Sequence, residues 1–358
     1  MKHGPDELIR TEIRALAAYK APEPNDLIKL NTHENPYHWP PELVAGWLEL
    51  LRDVHVNRYP DAGCRELKVA LNSYLGLSPD APLVLGNGSD ELIQTLLMTL
   101  AGYDCCVLAP APTFVMYEHC AVTLGARYVP VALEASEFSL DRERMLGAIE
   151  RHRPALIFIA HPNNPTGTLF DRAVIDDIIA ATPGLVIIDE AYAPFASDSY
   201  LGEVDRHENL LVMRTLSKVG LAGLRLGLLT GAPRWLEQIE KLRLPYNINT
   251  LTQVSAAFAL EHKAVFDAQT KRICEDRARV FDRLSLLDGL TVYPSAANFI
   301  TFRTPQGQAG RINVGLQRGG VSVKNLDGSD PLLADCLRAS IGTPDENEAF
   351  LGVLAAQL

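Results

Sequence analysis

The sequence predicts an α/β fold built on a mostly parallel sheet with helices covering both faces. Short apolar runs at residues 83–85, 106–108, 155–160, 185–188, 210–213 and 226–229 alternate with longer stretches of helical spacing. These runs are continuous rather than alternating, the pattern of strands buried on both faces. A chain of 358 residues with 47% hydrophobic content is also long enough to bury a large core, roughly two or three domains' worth of structure. In open sheets of this kind ligands sit at the carboxyl ends of strands, so the residues that follow each run are the candidates for chemistry.

Beyond about residue 250 the pattern changes to long helical stretches at 251–260 and 264–287, followed by short strand candidates at 291–293 and 299–302. This reads as a smaller α+β domain that the opening segment joins. The expected division is an N-terminal arm over 1–34, a large domain over 35–250 and a small C-terminal domain over 251–358. The formal charge of -11 is spread along the chain, so no basic face exists to neutralise nucleic-acid phosphates. No apolar stretch reaches the ~18 residues of a membrane span. The opening residues, Met1 to Glu7, lack the apolar segment of a signal peptide, so a cytoplasmic protein is expected. The six cysteines are scattered without metal-ligand spacing, and Cys105 and Cys106 read as buried free thiols, so no metal is expected.

Four strand ends carry chemistry. Residues 83–85 run into Gly86-Asn87-Gly88-Ser89-Asp90-Glu91, after which Leu92, Ile93, Leu96, Leu97 and Leu100 recur at helical spacing. Glycines admit close approach of the backbone to an anion, and the first amides of a helix favour phosphate. A phosphate cradle and an ordinary turn capped by Ser89 or Asp90 both fit; Glu91, where a dinucleotide fingerprint needs glycine, argues against a nicotinamide cofactor. Residues 155–160 end at His161-Pro162-Asn163-Asn164-Pro165-Thr166-Gly167, a loop stiff enough to present Asn164, or a plain strand-to-helix turn. The run 185–188 delivers Asp189 to the margin of the core, where a carboxylate needs a cation. A pyridinium nitrogen would serve, and metal binding and helix capping are the alternatives. After 210–213 come Ser217 and Lys218, then Arg225. A lysine becomes nucleophilic when burial or a nearby cation such as Arg225 lowers its pKa, whereas a generic lysine after a strand is a solvated end.

These four segments, in this order, resemble the fold-type I pyridoxal-phosphate aminotransferases from about Leu27 to the C-terminus. Within them the chain is most similar to the histidinol-phosphate aminotransferases. That similarity lies in Lys29-Leu30-Asn31 with Glu34-Asn35-Pro36, Arg58-Tyr59-Pro60, the segment 86–91, Leu221-Ala222-Gly223-Leu224-Arg225, 295–299 and 337–343. The resemblance implies a large domain with a mostly parallel seven-stranded sheet and pyridoxal 5'-phosphate as cofactor. It implies that Lys218 holds the cofactor as a Schiff base and serves as general base, that Asp189 pairs with the ring nitrogen, and that Tyr192 and Asn164 hold the ring hydroxyl. Phe114 takes the place of the stacking aromatic. The amides of Ser89 and Asp90, with Ser217 and Arg225, would hold the phosphate, and Tyr59 would reach across from the second subunit of a homodimer. Toward substrate, Arg338 matches the arginine that receives an acidic group, and Tyr19 a tyrosine that closes over it. Lys324 stands where a second arginine is familiar, keeping charge without the bidentate fork.

The implied reaction moves an amino group from histidinol phosphate to 2-oxoglutarate, with small-molecule amine and 2-oxo acid partners. Competing readings are another aminotransferase or a threonine-phosphate decarboxylase-like enzyme of the same fold, a non-catalytic cofactor-binding module, and a nicotinamide oxidoreductase. The last gives no role to Lys218.

Overall fold

The computed structural model describes residues 4–18, 26–100, 102 and 105–358. After β1 (Ile28–Leu30), seven strands form one sheet: β2 (Leu83–Asn87), β3 (Cys106–Ala111), β4 (Arg127–Ala132), β5 (Leu156–Ala160), β6 (Leu185–Asp189), β7 (Leu210–Thr215) and β8 (Leu226–Gly231). Their order is β2-β8-β7-β6-β5-β3-β4. Every neighbouring pair is parallel except those made by β8, which runs against both β7 and β2. The connection from β7 to β8, residues 216–225, is shorter than the dozen or more residues that a parallel crossover needs, so the chain turns straight back.

The central strands are legible as apolar runs because both faces are covered. On one face Ile157, Ile159, Val186, Ile188 and Val212 pack against Met145, Ile149, Ile175 and Ile178 of the helices Arg142–His152 and Arg172–Ala181. The alternate residues Leu156, Phe158, Leu185, Ile187, Leu211 and Met213 face Leu92, Ile93 and Leu96 of the helix Gly88–Leu100 and Cys120 of the helix Met116–Leu124. All six runs expected from the sequence are strands of this sheet. The seventh, β4, carries no continuous apolar run because it lies at the sheet edge with several residues partly or fully exposed. Pro130 is tolerated there, since an edge strand has amide positions that need no ladder partner.

A second sheet, of five strands, has the order β1-β11-β12-β10-β9, with β9 (Thr291–Val292), β10 (Phe299–Arg303), β11 (Val321–Asn325) and β12 (Cys336–Ser340). The early strand β1 pairs in parallel with β11, so the opening segment joins the C-terminal sheet. Its core, around Phe299, Phe302, Ile312 and Phe350, takes in Tyr192 from the loop after β6. No helix among the described residues is long and apolar enough to cross a membrane, and no cluster of His, Cys, Asp and Glu among them could hold a metal ion. All six cysteines are free.

Truncating a fully buried central residue should show how much the sheet depends on this packing. Ile187→Ala should lower unfolding free energy by about 2–5 kcal/mol, read from the urea midpoint against wild type; an unchanged midpoint would contradict the packing.

Candidate active site

Because β8 returns directly, the carboxyl ends of β2, β3, β5, β6 and β7 and the start of β8 lie at one edge of the large sheet. There they surround a cavity of about 500 Å³ that the small sheet closes from the other side. The cavity wall includes Lys218, Asp189, Tyr192 and Asn164, together with Ser89, Asp90, Phe114, Ser217 and Arg225. Lys324 and Arg338 line it as well. Tyr59 does not: it is 81% exposed and stacks on Tyr246 with ring centroids 4.5 Å apart. Tyr19 lies outside the described residues.

Asp189 ends β6 and is only 4% exposed. Burial pushes its carboxyl pKa up to about 6, although the Tyr117 hydroxyl donates to Oδ2 at 2.6 Å and the Ala191 amide to Oδ1 at 3.0 Å. Its neighbour Glu190 points the other way, where the Arg214 guanidinium donates to Oε2 at 2.8 and 2.6 Å and Ser199 adds a third bond. Of two adjacent carboxylates, one is neutralised by an arginine and the other faces the cavity without such a partner among the described residues.

Lys218 lies in the wide helical turn Ser217–Leu221, with Nζ 5.7 Å from the Tyr192 ring centroid. Burial, and then the charge of Arg338, hold its ammonium pKa down to about 8. A substantial fraction of this amine is therefore neutral, and so nucleophilic, near physiological pH.

At one end of the cavity the helix Gly88–Leu100 starts directly from β2. Glu91 folds back to accept from the amide and side chain of Asn87, tying down the entry to this helix. Gly88 has φ +78°, and a Cβ there would sit 2.5 Å from Arg225 Nη2. A Cβ on Gly227 would sit 2.7 Å from the Ser89 amide nitrogen. Both glycines are thus required for the close approach of β8 to the helix start. Arg225 adopts φ +49°, a left-handed conformation that costs a non-glycine residue roughly 1 kcal/mol or more. That backbone places its guanidinium 3.5 Å from Ser217 Oγ and 3.4 Å from Asp90 Oδ2. Two side-chain donors and the first amides of a helix converge here, the arrangement that binds a phosphate group.

The loop after β5 separates its two asparagines. Asn163 is fully buried and staples the loop through Pro112, Thr113 and Thr166. Asn164 faces the cavity and accepts from Arg338 Nη1 at 2.5 Å. Arg338 on β12 is 8% exposed and stands directly opposite Lys324 on β11. Cross-strand partners share a face of the sheet, so the two cations lie side by side at the cavity mouth. Phe114 meets Tyr117 edge-on at 5.6 Å.

The arrangement contains residues that sequence reasoning passed over. Tyr117 holds Asp189 from a helix one strand away, and no spacing relates the two in sequence. His33 is buried in the cavity wall with Nδ1 2.8 Å from the Tyr192 hydroxyl. Its one signal was a titratable residue inside the segment Asn31 to Asn35.

The raised pKa of Asp189 has a consequence for ligand-free protein. Its folded value, about 6, exceeds the ordinary 3.8, so its contribution to stability is fully present below about pH 4 and is lost as pH rises through about 6. Against Asp189→Asn, wild type should lose on the order of 3 kcal/mol between pH 4 and 8 in urea titrations; a pH-independent difference would exclude Asp189 as the group.

Comparison with known proteins identifies the family. The family model described as aminotransferase class I and II matches residues 25–354. The chain is 54% identical over 348 residues to histidinol-phosphate aminotransferase 2 of Nitrosococcus oceani, covering 97% of this chain and 96% of the relative. It is 45% identical over 354 residues to the histidinol-phosphate aminotransferase of Chromobacterium violaceum, covering 99% of each. The structure also resembles the histidinol-phosphate aminotransferase of Sinorhizobium meliloti, solved in complex with pyridoxal-5'-phosphate. That match has a TM-score of 0.87 at 23% identity and covers 98% of this chain and 97% of that one. With a half-buried lysine and a buried aspartate facing one cavity, and a family match spanning nearly its whole length, the chain belongs to the class I and II aminotransferases.

Proposed function

We propose that this aminotransferase takes histidinol phosphate as amino donor and 2-oxoglutarate as acceptor, giving imidazole acetol phosphate and glutamate. The observation that carries the reading is the cavity itself: a lysine with its pKa held near 8 and an unneutralised aspartate at its floor, and two adjacent cations, Lys324 and Arg338, at its mouth. The names of the relatives from Nitrosococcus oceani and Chromobacterium violaceum support the choice of donor.

The cofactor is pyridoxal 5'-phosphate, and the residues fit it. The cradle of Gly88, Ser217 and Arg225 suits its phosphate, Asp189 its ring nitrogen, and Lys218 its aldehyde. When bound, the group supplies a carbonyl that condenses with amines and a protonated ring that accepts electron density from the substrate α-carbon. With the group in place, Lys218 Nζ would hold it covalently. Once released by the substrate amine, the same nitrogen would serve as the general base that takes the proton from the substrate α-carbon. Asp189, as an anion beside the ring nitrogen, would keep that nitrogen protonated, and the cationic nitrogen would in turn bring the carboxyl back toward its ordinary ionised state. Phe114 would stack on the ring, while Asn164 and Tyr192 would direct hydrogen bonds to its hydroxyl oxygen. The amides of Ser89 and Asp90 complete the phosphate site.

Arg338, with its planar fork, and Lys324 would receive the acidic end of the substrate. The exposed ring of Tyr59 supports a homodimer in which this residue enters the partner's cavity. The division into an arm over 1–34, a large domain over 35–250 and a small domain over 251–358 is supported by the two separate sheets. We also place the enzyme in the cytoplasm.

The deciding experiment adds histidinol phosphate, without oxo acid, to purified holoenzyme and follows the visible spectrum. The expected result is conversion of the visible band to a pyridoxamine-like spectrum; a band that stays unmoved while another amine shifts it would overturn the donor. Lys218→Ala should retain the fold and lose transamination by about three orders of magnitude or more; near-normal turnover would overturn its role. Arg338→Ala should raise KM for the phosphorylated donor roughly 30-fold or more, and Lys324→Ala by less, in steady-state kinetics.

A further inference from the structure

We propose that His33 is a positioning residue that aims the Tyr192 hydroxyl: its Nδ1–H donates to the tyrosine oxygen and leaves the tyrosine O–H directed into the cavity. The inference rests on the function proposed above, in which that O–H meets the ring oxygen of the cofactor.

The two groups are 2.8 Å apart, and the imidazole has little freedom. Its backbone amide donates to Ser340 Oγ at 2.9 Å, and its carbonyl accepts from Asn298 Nδ2 at 3.0 Å. The ring stacks on Phe299 at 4.4 Å and meets Tyr192 edge-on at 5.6 Å. The residue also holds φ +59°, a conformation that asparagine and glycine adopt more readily. Burial, with the charges of Arg338 and Lys218, pushes the imidazole pKa well below its ordinary value, so the ring is neutral. A neutral imidazole carries one N–H and one lone pair.

The other nitrogen decides which is which. Nε2 is buried and has no hydrogen-bond partner among the described residues. A hydrogen placed there would be an orphaned buried donor, which is rarer and costlier than an unused lone pair. The hydrogen therefore sits on Nδ1, and the Tyr192 oxygen accepts it. Burial raises the Tyr192 pKa, so the phenol keeps its own hydrogen and can donate it only elsewhere. Arg338 treats Asn164 in the same way: by occupying Oδ1 it leaves the amide N–H groups free. The two free donors, Tyr192 O–H and Asn164 N–H, line the same cavity and suit one anionic oxygen.

Stabilising negative charge on that oxygen lowers the proton affinity of the nitrogen that joins the cofactor to Lys218. Loss of the His33 donor should raise it. The test is the pH titration of the visible band of holoenzyme in wild type, His33→Phe, His33→Asn, Tyr192→Phe and the double variant His33→Phe/Tyr192→Phe. His33→Phe keeps the stacked ring and should move the midpoint up by about 0.7 pH unit, with kcat/KM falling roughly fivefold. His33→Asn returns an N–H near the Nδ1 position and should recover most of both. In the Tyr192→Phe background the shift from His33→Phe should vanish, because the effect passes through the tyrosine hydroxyl. An unmoved midpoint, or an equal shift in that background, would overturn the proposal. Nitrogen-15 NMR of the unsubstituted, cofactor-free protein tests it independently of folding in the variants: Nδ1 should be protonated and Nε2 bare, and a proton on Nε2 would overturn it. A wild-type holoenzyme without any visible band would instead sink the functional reading, leaving the NMR result to decide the tautomer.

Discussion

Asp189 is a carboxylate buried at the end of a central strand with hydrogen-bond donors but, among the described residues, no cationic side chain against it. Such a group raises its pKa until it is neutral or until a cation arrives. The surroundings supply hydrogen bonds, which pull the pKa part of the way back down, but no compensating charge. Tyr117 and the Ala191 amide satisfy its oxygens without supplying charge, and the nearest arginine on the next strand, Arg214, is committed to Glu190. Lys218 is the converse case, an amine partly desolvated beside Arg338. An acid raised and a base lowered within one cavity is the electrostatic pattern of a site that performs proton chemistry near neutral pH.

The topology places these groups together. The short return from β7 to β8 puts Ser217 and Lys218 at the end of one strand and Arg225 at the start of the next, so the lysine and the arginine share an edge of the sheet. The antiparallel pairing of β8 with β2 then brings Gly227 against Gly88 and Ser89, and side chains at either glycine would hold the helix start away from Arg225.

The small sheet completes the site and is fastened to the large one close by. Thr301 on β10 donates to the Pro165 carbonyl, and the Ala296 amide to Gly167, both in the loop that presents Asn164. Arg338 bonds Asn164 directly, and His33 reaches Tyr192. A change in how the small sheet sits would therefore be felt at the donors that line the cavity, which gives the mouth of the site a mechanical connection to its floor.

The sequence by itself determined the class of fold and which strand ends of the large sheet line the cavity, because strands buried on both faces must be apolar along their length and because polar residues that interrupt them fall at strand ends. Asp189, Asn164, Ser217, Lys218 and Arg225 were legible for that reason. The edge strand β4 was not, since half-exposed residues and Pro130 erase the pattern. Nor were the orientations of Glu190 and Asn163, the neighbours of Asp189 and Asn164, legible: adjacent residues of one type differ only in which side of the strand or loop they face. Tertiary structure alone decided the partnerships made across long separations, Tyr117 with Asp189, His33 with Tyr192 and Lys324 beside Arg338. These depend on packing between a helix and a strand, or between one sheet and the other, and no periodicity along the chain encodes such a distance.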